Sequence, residues 1–234
     1  MNPLVQFQYI RVVYMVLNVE IYNGHIRQTK EFPLTVAEVE STLQRYEYTG
    51  TNRVKDPSVE KLILPPIVLS FYSCIYKDGS IPSEMDLVEE YLNQENIFSY
   101  LPNNMVAIFY NNKQTTVSLD ALIARILRTY PSLVRDLHFY LMAYESGFFS
   151  AVRYSVEADY AQGIDIRVRY NDKWYNVGLY VSTKRSLFFK KKKLFRHRPV
   201  SLINLELHPK EAHIVGDFML YSREHVNELL LLIK

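Results

Sequence analysis

The sequence predicts a mixed α/β fold, with a mainly helical N-terminal lobe over residues 1–117 and an α/β domain built on a mixed sheet over 118–234. Three observations predict it. Helix-start signals dominate the first half, beginning with Thr35-Val36-Ala37-Glu38. From Phe149 onward the pattern shifts to short β-branched and aromatic runs separated by polar turns. The charge balance also reverses: residues 1–117 carry 9 Lys/Arg against 13 Asp/Glu, and 118–234 carry 18 against 12.

The elements follow in order. Tyr9 to Tyr22 suits a strand by its β-branched residues and a helix by its length, and is read as helix. Thr35 and Glu38 can each satisfy a free backbone N–H, so a helix opens there and runs to about Tyr46. Val59 to Tyr76 contains helix interrupted by Pro65-Pro66, which lack N–H donors. Lys77-Asp78-Gly79-Ser80 forms a turn, and Ser83 with Asp86 starts a helix through about Gln94. Ser118 caps another, whose Leu119, Leu122, Ile123 and Ile126 fall at helical spacing. Pro131 suits the first position of a further helix, ending at Gly147. Strands follow at Phe149–Val156, Ile164–Tyr170, Trp174–Thr183, Ser201–Leu207 and His213–Tyr221, then a helix at Arg223–Ile233. Asn171-Asp172-Lys173 makes the second and third of these strands a hairpin.

Composition excludes several classes. With 48% hydrophobic residues and only 17 Gly plus Pro, the chain can fill a core. Cys74 is the sole cysteine, which excludes a disulfide scaffold within the chain, and it reads as a core residue. No apolar run reaches the ~18 residues of a membrane span, so no membrane partner is expected and a cytoplasmic location is. The six histidines are scattered, His208 and His213 at no standard ligand spacing, so a zinc site is not expected. No phosphate-binding glycine loop or nucleophile elbow occurs.

In the helix after Pro131, Val134, Leu137, His138 and Leu141 share a face that Glu145 continues. A carboxylate on that stripe needs a partner unless the helix end turns it to solvent. His138, on an apolar face, reads as a hydrogen-bonded core residue. On the second strand Ile164, Ile166 and Val168 point one way and Asp165, Arg167 and Arg169 the other. On the third, Tyr180, Ser182 and Lys184 share a face, and hairpin counting sets Asp165 opposite residues 178–180.

A helix acid, an Asp heading one strand and a lysine closing the next resemble the PD-(D/E)XK nuclease superfamily, which includes restriction endonucleases and TnsA-type transposon end nucleases. The matching residues are Glu145, Asp165 in Gln162-Gly163-Ile164-Asp165, and Lys184 in Val181-Ser182-Thr183-Lys184, within about 131–221. The resemblance implies a restriction-endonuclease-like C-terminal domain, a DNA substrate, and a defence or mobile-element setting. It also implies Mg²⁺ or Mn²⁺ held by Asp165 and Glu145, with Lys184 supporting charge on the phosphate. Ser182 stands where the family carries an acid, and a hydroxyl is a poorer Mg²⁺ ligand. Glu145, Glu157 or Asp159 could supply the missing carboxylate, or the fold could be kept for binding alone.

Eight Lys/Arg fall between Lys184 and Arg198, and no acid occurs between Lys173 and Leu205. Arg185, Lys190, Lys191, Lys192, Lys193, Arg196 and Arg198 are therefore expected to contact phosphates, with Phe188, Phe189 and Phe195 packing or stacking beside them. Three readings follow: a metal-dependent DNA endonuclease, a non-catalytic nucleic-acid-binding or assembly protein, and an interaction subunit docking on an acidic partner. The acidic balance of the N-terminal lobe points to a protein contact there.

Overall fold

The computed structural model describes residues 15–21, 26–32, 34–50, 53, 55–94, 96–155, 158–159, 162–183 and 200–234, the first two by backbone alone. Short-range capping builds the first helices. The Thr35 hydroxyl accepts the Glu38 N–H, and the Glu38 carboxylate accepts the Thr35 N–H, which opens α1 (Val36–Gln44). Asp56 accepts the Ser58 N–H to open the single turn α2 (Pro57–Glu60). Pro66 then sits just ahead of α3 (Ile67–Asp78), where a missing donor does no harm. Gly79, at φ 69°, closes α3 with an N–H to the Ile75 carbonyl. Ser83 and Asp86 form a second capping box for α4 (Glu84–Leu92).

Two parts of this half are strands. Met15–Ile21 (β1) pairs antiparallel with Ile26–Phe32 (β2), so the helix read over Tyr9–Tyr22 is corrected where it is described; residues 9–14 and 22 lie outside. The alternation Met-Val-Leu-Asn-Val-Glu-Ile follows its β-branched residues rather than the length of the run. Phe98–Leu101 (β3), Met105–Tyr110 (β4) and Lys113–Ser118 (β5) form an antiparallel sheet that the helix signals did not announce. Its turns are the three-residue Pro102-Asn103-Asn104 and the two-residue Asn111-Asn112, with all four asparagines at positive φ, the left-handed backbone that tight hairpin turns require.

Ser118 caps α5 (Leu119–Glu145), a continuous helix of 27 residues with Pro131 inside it. Pro131 therefore does not start a new helix. A proline there cannot donate to the carbonyl four residues back, which is that of Leu127. The Tyr48 hydroxyl donates to that carbonyl instead, at 3.0 Å. A distant side chain thus replaces the lost bond, and the helix runs on. Tyr48→Phe is expected to cost about 1–2 kcal/mol in a urea melt, because the carbonyl loses its donor.

The C-terminal half places Ala151–Arg153 (β6), Ile166–Tyr170 (β7), Lys173–Val181 (β8) and Ile203–Leu207 (β9) in one sheet in that order. The first three form an antiparallel meander, and β9 lies parallel to β8. The expected connection is tighter than Asn171-Asp172-Lys173: Lys173 already pairs with Tyr170, which leaves Asn171-Asp172 as the turn, at φ 47° and 60°. His213–Tyr221 is not one strand but the hairpin His213–Val215 (β10) and Phe218–Leu220 (β11). Gly216 turns it at φ 53°, and a Cβ there would lie 2.6 Å from the Leu43 carbonyl of α1. Only glycine lets the hairpin dock so closely. Arg223–Ile233 (α6) ends the chain as expected.

One face of the four-stranded sheet carries Val152, Ile166, Val168, Val177, Leu205 and Leu207, all buried. They join a single apolar cluster that runs from Leu34 to Ile233 through α1, α3, α4 and α5. Cys74 is buried within α3, and burial pushes its thiol up to about 11, as a core residue requires. Among the described residues, no helix is long and apolar enough to cross a membrane.

Candidate functional site

Asp165 immediately precedes β7, where the β7–β8 ladder ends. Its N–H donates to the Val177 carbonyl, and its carboxylate accepts the Leu179 N–H at 2.5 Å. The side chain thus takes the place of a ladder carbonyl, and the hairpin counting that set Asp165 opposite residues 178–180 holds. Beyond that point β8 continues along β9 alone: Ser182 N–H reaches the Leu207 carbonyl.

Asp165 shares its surroundings with two other acids. Burial holds the Tyr72 and Tyr154 hydroxyls well above their usual value; Asp159 acts on both in the same direction, Asp136 on Tyr72, and Asp165 on Tyr154. Burial does the same to Tyr221, where Asp136 and Asp165 both add to it. The Tyr72 and Tyr154 rings stack at 4.1 Å between centroids, and Tyr154 donates to Asp159 at 3.1 Å. Each of these tyrosines thus feels two of the three acids: Tyr72 feels Asp136 and Asp159, Tyr154 feels Asp159 and Asp165, and Tyr221 feels Asp136 and Asp165. Asp159 was among the candidates read from the sequence. Asp136 was not, although its place inside the largely buried run from Leu133 to Ala143 was the available signal.

Glu145 lies elsewhere. At the exposed end of α5, its carboxylate accepts the Val36 N–H at 2.7 Å and so caps the first turn of α1. Burial raises its pKa, the Val36 N–H opposes this, and the other charges acting on it are Arg223, Glu38 and Glu40. Ser182 continues β8 in half-buried backbone. Lys184, Arg185, Lys190, Lys191, Lys192, Lys193, Arg196 and Arg198 lie outside the described residues, as does Glu157. Among the described residues, no three His, Cys, Asp or Glu side chains are placed to hold a metal ion.

His138 is a core histidine. Fully buried on α5, its Nε2 donates to Glu40 Oε1 of α1 at 2.9 Å, and His213 Nε2 of β10 meets the same oxygen at 3.1 Å. Its Nδ1 is buried without a hydrogen-bond partner among the described residues, which suits a neutral ring. Burial lowers its pKa, Glu40 opposes this, and His213 adds to it. The unfolded chain then binds the proton first as pH falls through about 6.5, so the protein loses stability below that pH. Thermal melts from pH 8 to 5.5 are expected to show this loss, and His138→Gln to flatten it.

No family model, curated protein or solved structure matches this chain.

Proposed function

We propose that this protein binds DNA at the Asp165 end of its C-terminal sheet, on a restriction-endonuclease-like α/β unit that holds the backbone without cutting it. One observation carries the reading. β7 begins just after Asp165, and β8 and the parallel β9 finish at that same end, at Val181 and Leu207. Thr183 there leads directly into the eight Lys/Arg of 184–198. In the sequence, the densest positive charge of the chain therefore follows directly on the sheet end that bears the candidate acid, a charge distribution suited to a polyanion.

The donor set supports holding over cutting. Ser182 offers a hydroxyl in the acidic position, Glu145 caps α1, and Asp165 accepts a backbone N–H. A metal-dependent endonuclease using Mg²⁺ or Mn²⁺ is the second reading, favoured by the turn that leads from Asp159 to Asp165, in which the Gly163 N–H donates to the Asp159 carbonyl at 2.9 Å and the Ile164 N–H to that of Ala158 at 3.1 Å.

Plasmid and linear DNA incubated with each metal, beside mobility shifts in EDTA, separate the two. The variant to use is Asp165→Asn, whose amide oxygen can still accept the Leu179 N–H. Asp165→Ala would strand that N–H at about 1–3 kcal/mol and confuse lost activity with lost fold. Binding by both proteins with no cutting by either is the expected result. Metal-dependent cutting by the wild type that Asp165→Asn lacks would replace this reading with the second.

A further inference from the structure

The sheet face turned away from the core carries its own pattern, set by register. Arg153 of β6 pairs with Arg167 of β7, which pairs with Asn176 of β8. In the next row Ala151 pairs with Arg169, which pairs with Trp174. Two rows about 7 Å apart thus present three arginines and an indole on one surface. Trp174 is 41% exposed, the Arg169 side chain is 42% exposed, and Arg153 is exposed as well.

Several interactions prearrange these groups. The Arg153 guanidinium lies 4.7 Å from the centroid of the Trp174 ring. Because β7 runs between β6 and β8, the two side chains must reach toward each other across it. Arg167 Nε donates to Asn176 Oδ1 at 2.9 Å, and Asn176 in turn donates to the Ser201 carbonyl. That bond fixes the guanidinium by one edge and leaves its terminal nitrogens without a hydrogen bond among the described residues. The ion pair of Arg169 is with Asp172, a turn residue 91% exposed, and a pair so wet exchanges readily for a phosphate.

We propose that this face binds an unpaired nucleic-acid strand, with Trp174 stacking a base and Arg153, Arg167 and Arg169 holding its phosphates. The inference rests on the reading of the chain as DNA-binding and adds a second surface, distinct from the basic segment after β8. An exposed indole set among guanidiniums favours a single strand, because the bases of a duplex already stack on one another and offer no free π-face. A duplex would be gripped by the arginines and would leave the indole unused.

Trp174 is the only tryptophan in the chain, so its fluorescence reports this face without any substitution. The experiment titrates the full chain with fluorescein-labelled oligo-dT of 20 nucleotides, and with a mixed-sequence duplex, in EDTA. Tryptophan emission and fluorescein anisotropy are read on the same samples. Oligo-dT is expected to quench Trp174 in step with the anisotropy rise, and salt to reverse both. Arg153→Ala/Arg167→Ala should weaken oligo-dT binding about tenfold, and Trp174→Ala, followed by anisotropy, by a similar factor. Circular dichroism melts confirm that each variant is folded. Oligo-dT binding with Trp174 emission unchanged and affinity unaltered in these variants would overturn this inference while leaving DNA binding in place. Equal quenching by the duplex would overturn the preference for a single strand. No anisotropy change with either probe would overturn both this inference and the reading beneath it.

Discussion

Tyr130→Ala is expected to remove about 4 kcal/mol of stability, a large share of the margin by which such a fold persists. Tyr130 projects from the middle of α5 and is 1% exposed. Its ring lies 5.8 Å from Tyr46, 6.2 Å from Phe71 and 6.0 Å from Phe218, which come from the segment after α1, from α3 and from β11. Its hydroxyl donates to the Pro82 carbonyl ahead of α4 at 2.7 Å. Truncation would open a cavity where four segments meet and would strand that carbonyl. Tyr130→Phe keeps the ring and should cost only about 1 kcal/mol. Chemical denaturation of the three proteins measures both effects, and equal midpoints for wild type and Tyr130→Ala would show that the aromatic cluster does not hold these segments together.

Tyr221→Ala should cost a comparable amount, about 4 kcal/mol, and its effect should be felt at the sheet. The side chain is fully buried, with its ring 4.8 Å from Phe139 of α5. Its hydroxyl lies 3.2 Å from the Tyr180 carbonyl and 3.3 Å from that of Leu205, one on β8 and one on β9. One O–H thus serves both strands of the parallel pair close to the end where Asp165 sits. Tyr221→Phe is expected to leave the melt within about 1–2 kcal/mol of wild type. Hydrogen exchange should nevertheless quicken along β8 and β9 before the rest of the fold. Unchanged exchange on those strands would place the work of Tyr221 in its ring alone.

What the sequence made legible was mostly short-range. The boxes Thr35/Glu38 and Ser83/Asp86 close over three residues and stand where the pattern puts them. Counting from a turn near Asp172 also set Asp165 beside β8 correctly, because so short a connection leaves the register little freedom. The Asn-Asn turns at 103–104 and 111–112 were equally readable, yet helix signals on either side drew the segment between them into a helical lobe. Long-range substitutions escaped. Nothing near Pro131 announces that Tyr48, 79 residues before Leu127, will supply the missing donor. Glu145 lies on the α5 stripe as the spacing says, but its partner is the α1 N-terminus, 109 residues away. The meeting of Arg153 with Trp174 likewise exists only once the strands have paired.

The central claim is that DNA is held through the positive charge issuing from the Asp165 end of the sheet. The most direct measurement is the salt dependence of affinity for a short duplex, comparing wild type with a variant carrying glutamine at Lys190, Lys191, Lys192 and Lys193. Each lysine that no longer neutralises a phosphate flattens the plot of log affinity against log salt by about 0.9. A steep wild-type slope is expected, with the variant shallower by about 3.6 and both proteins equally folded. A wild type whose affinity ignores salt, or a variant with an unchanged slope, would contradict the claim.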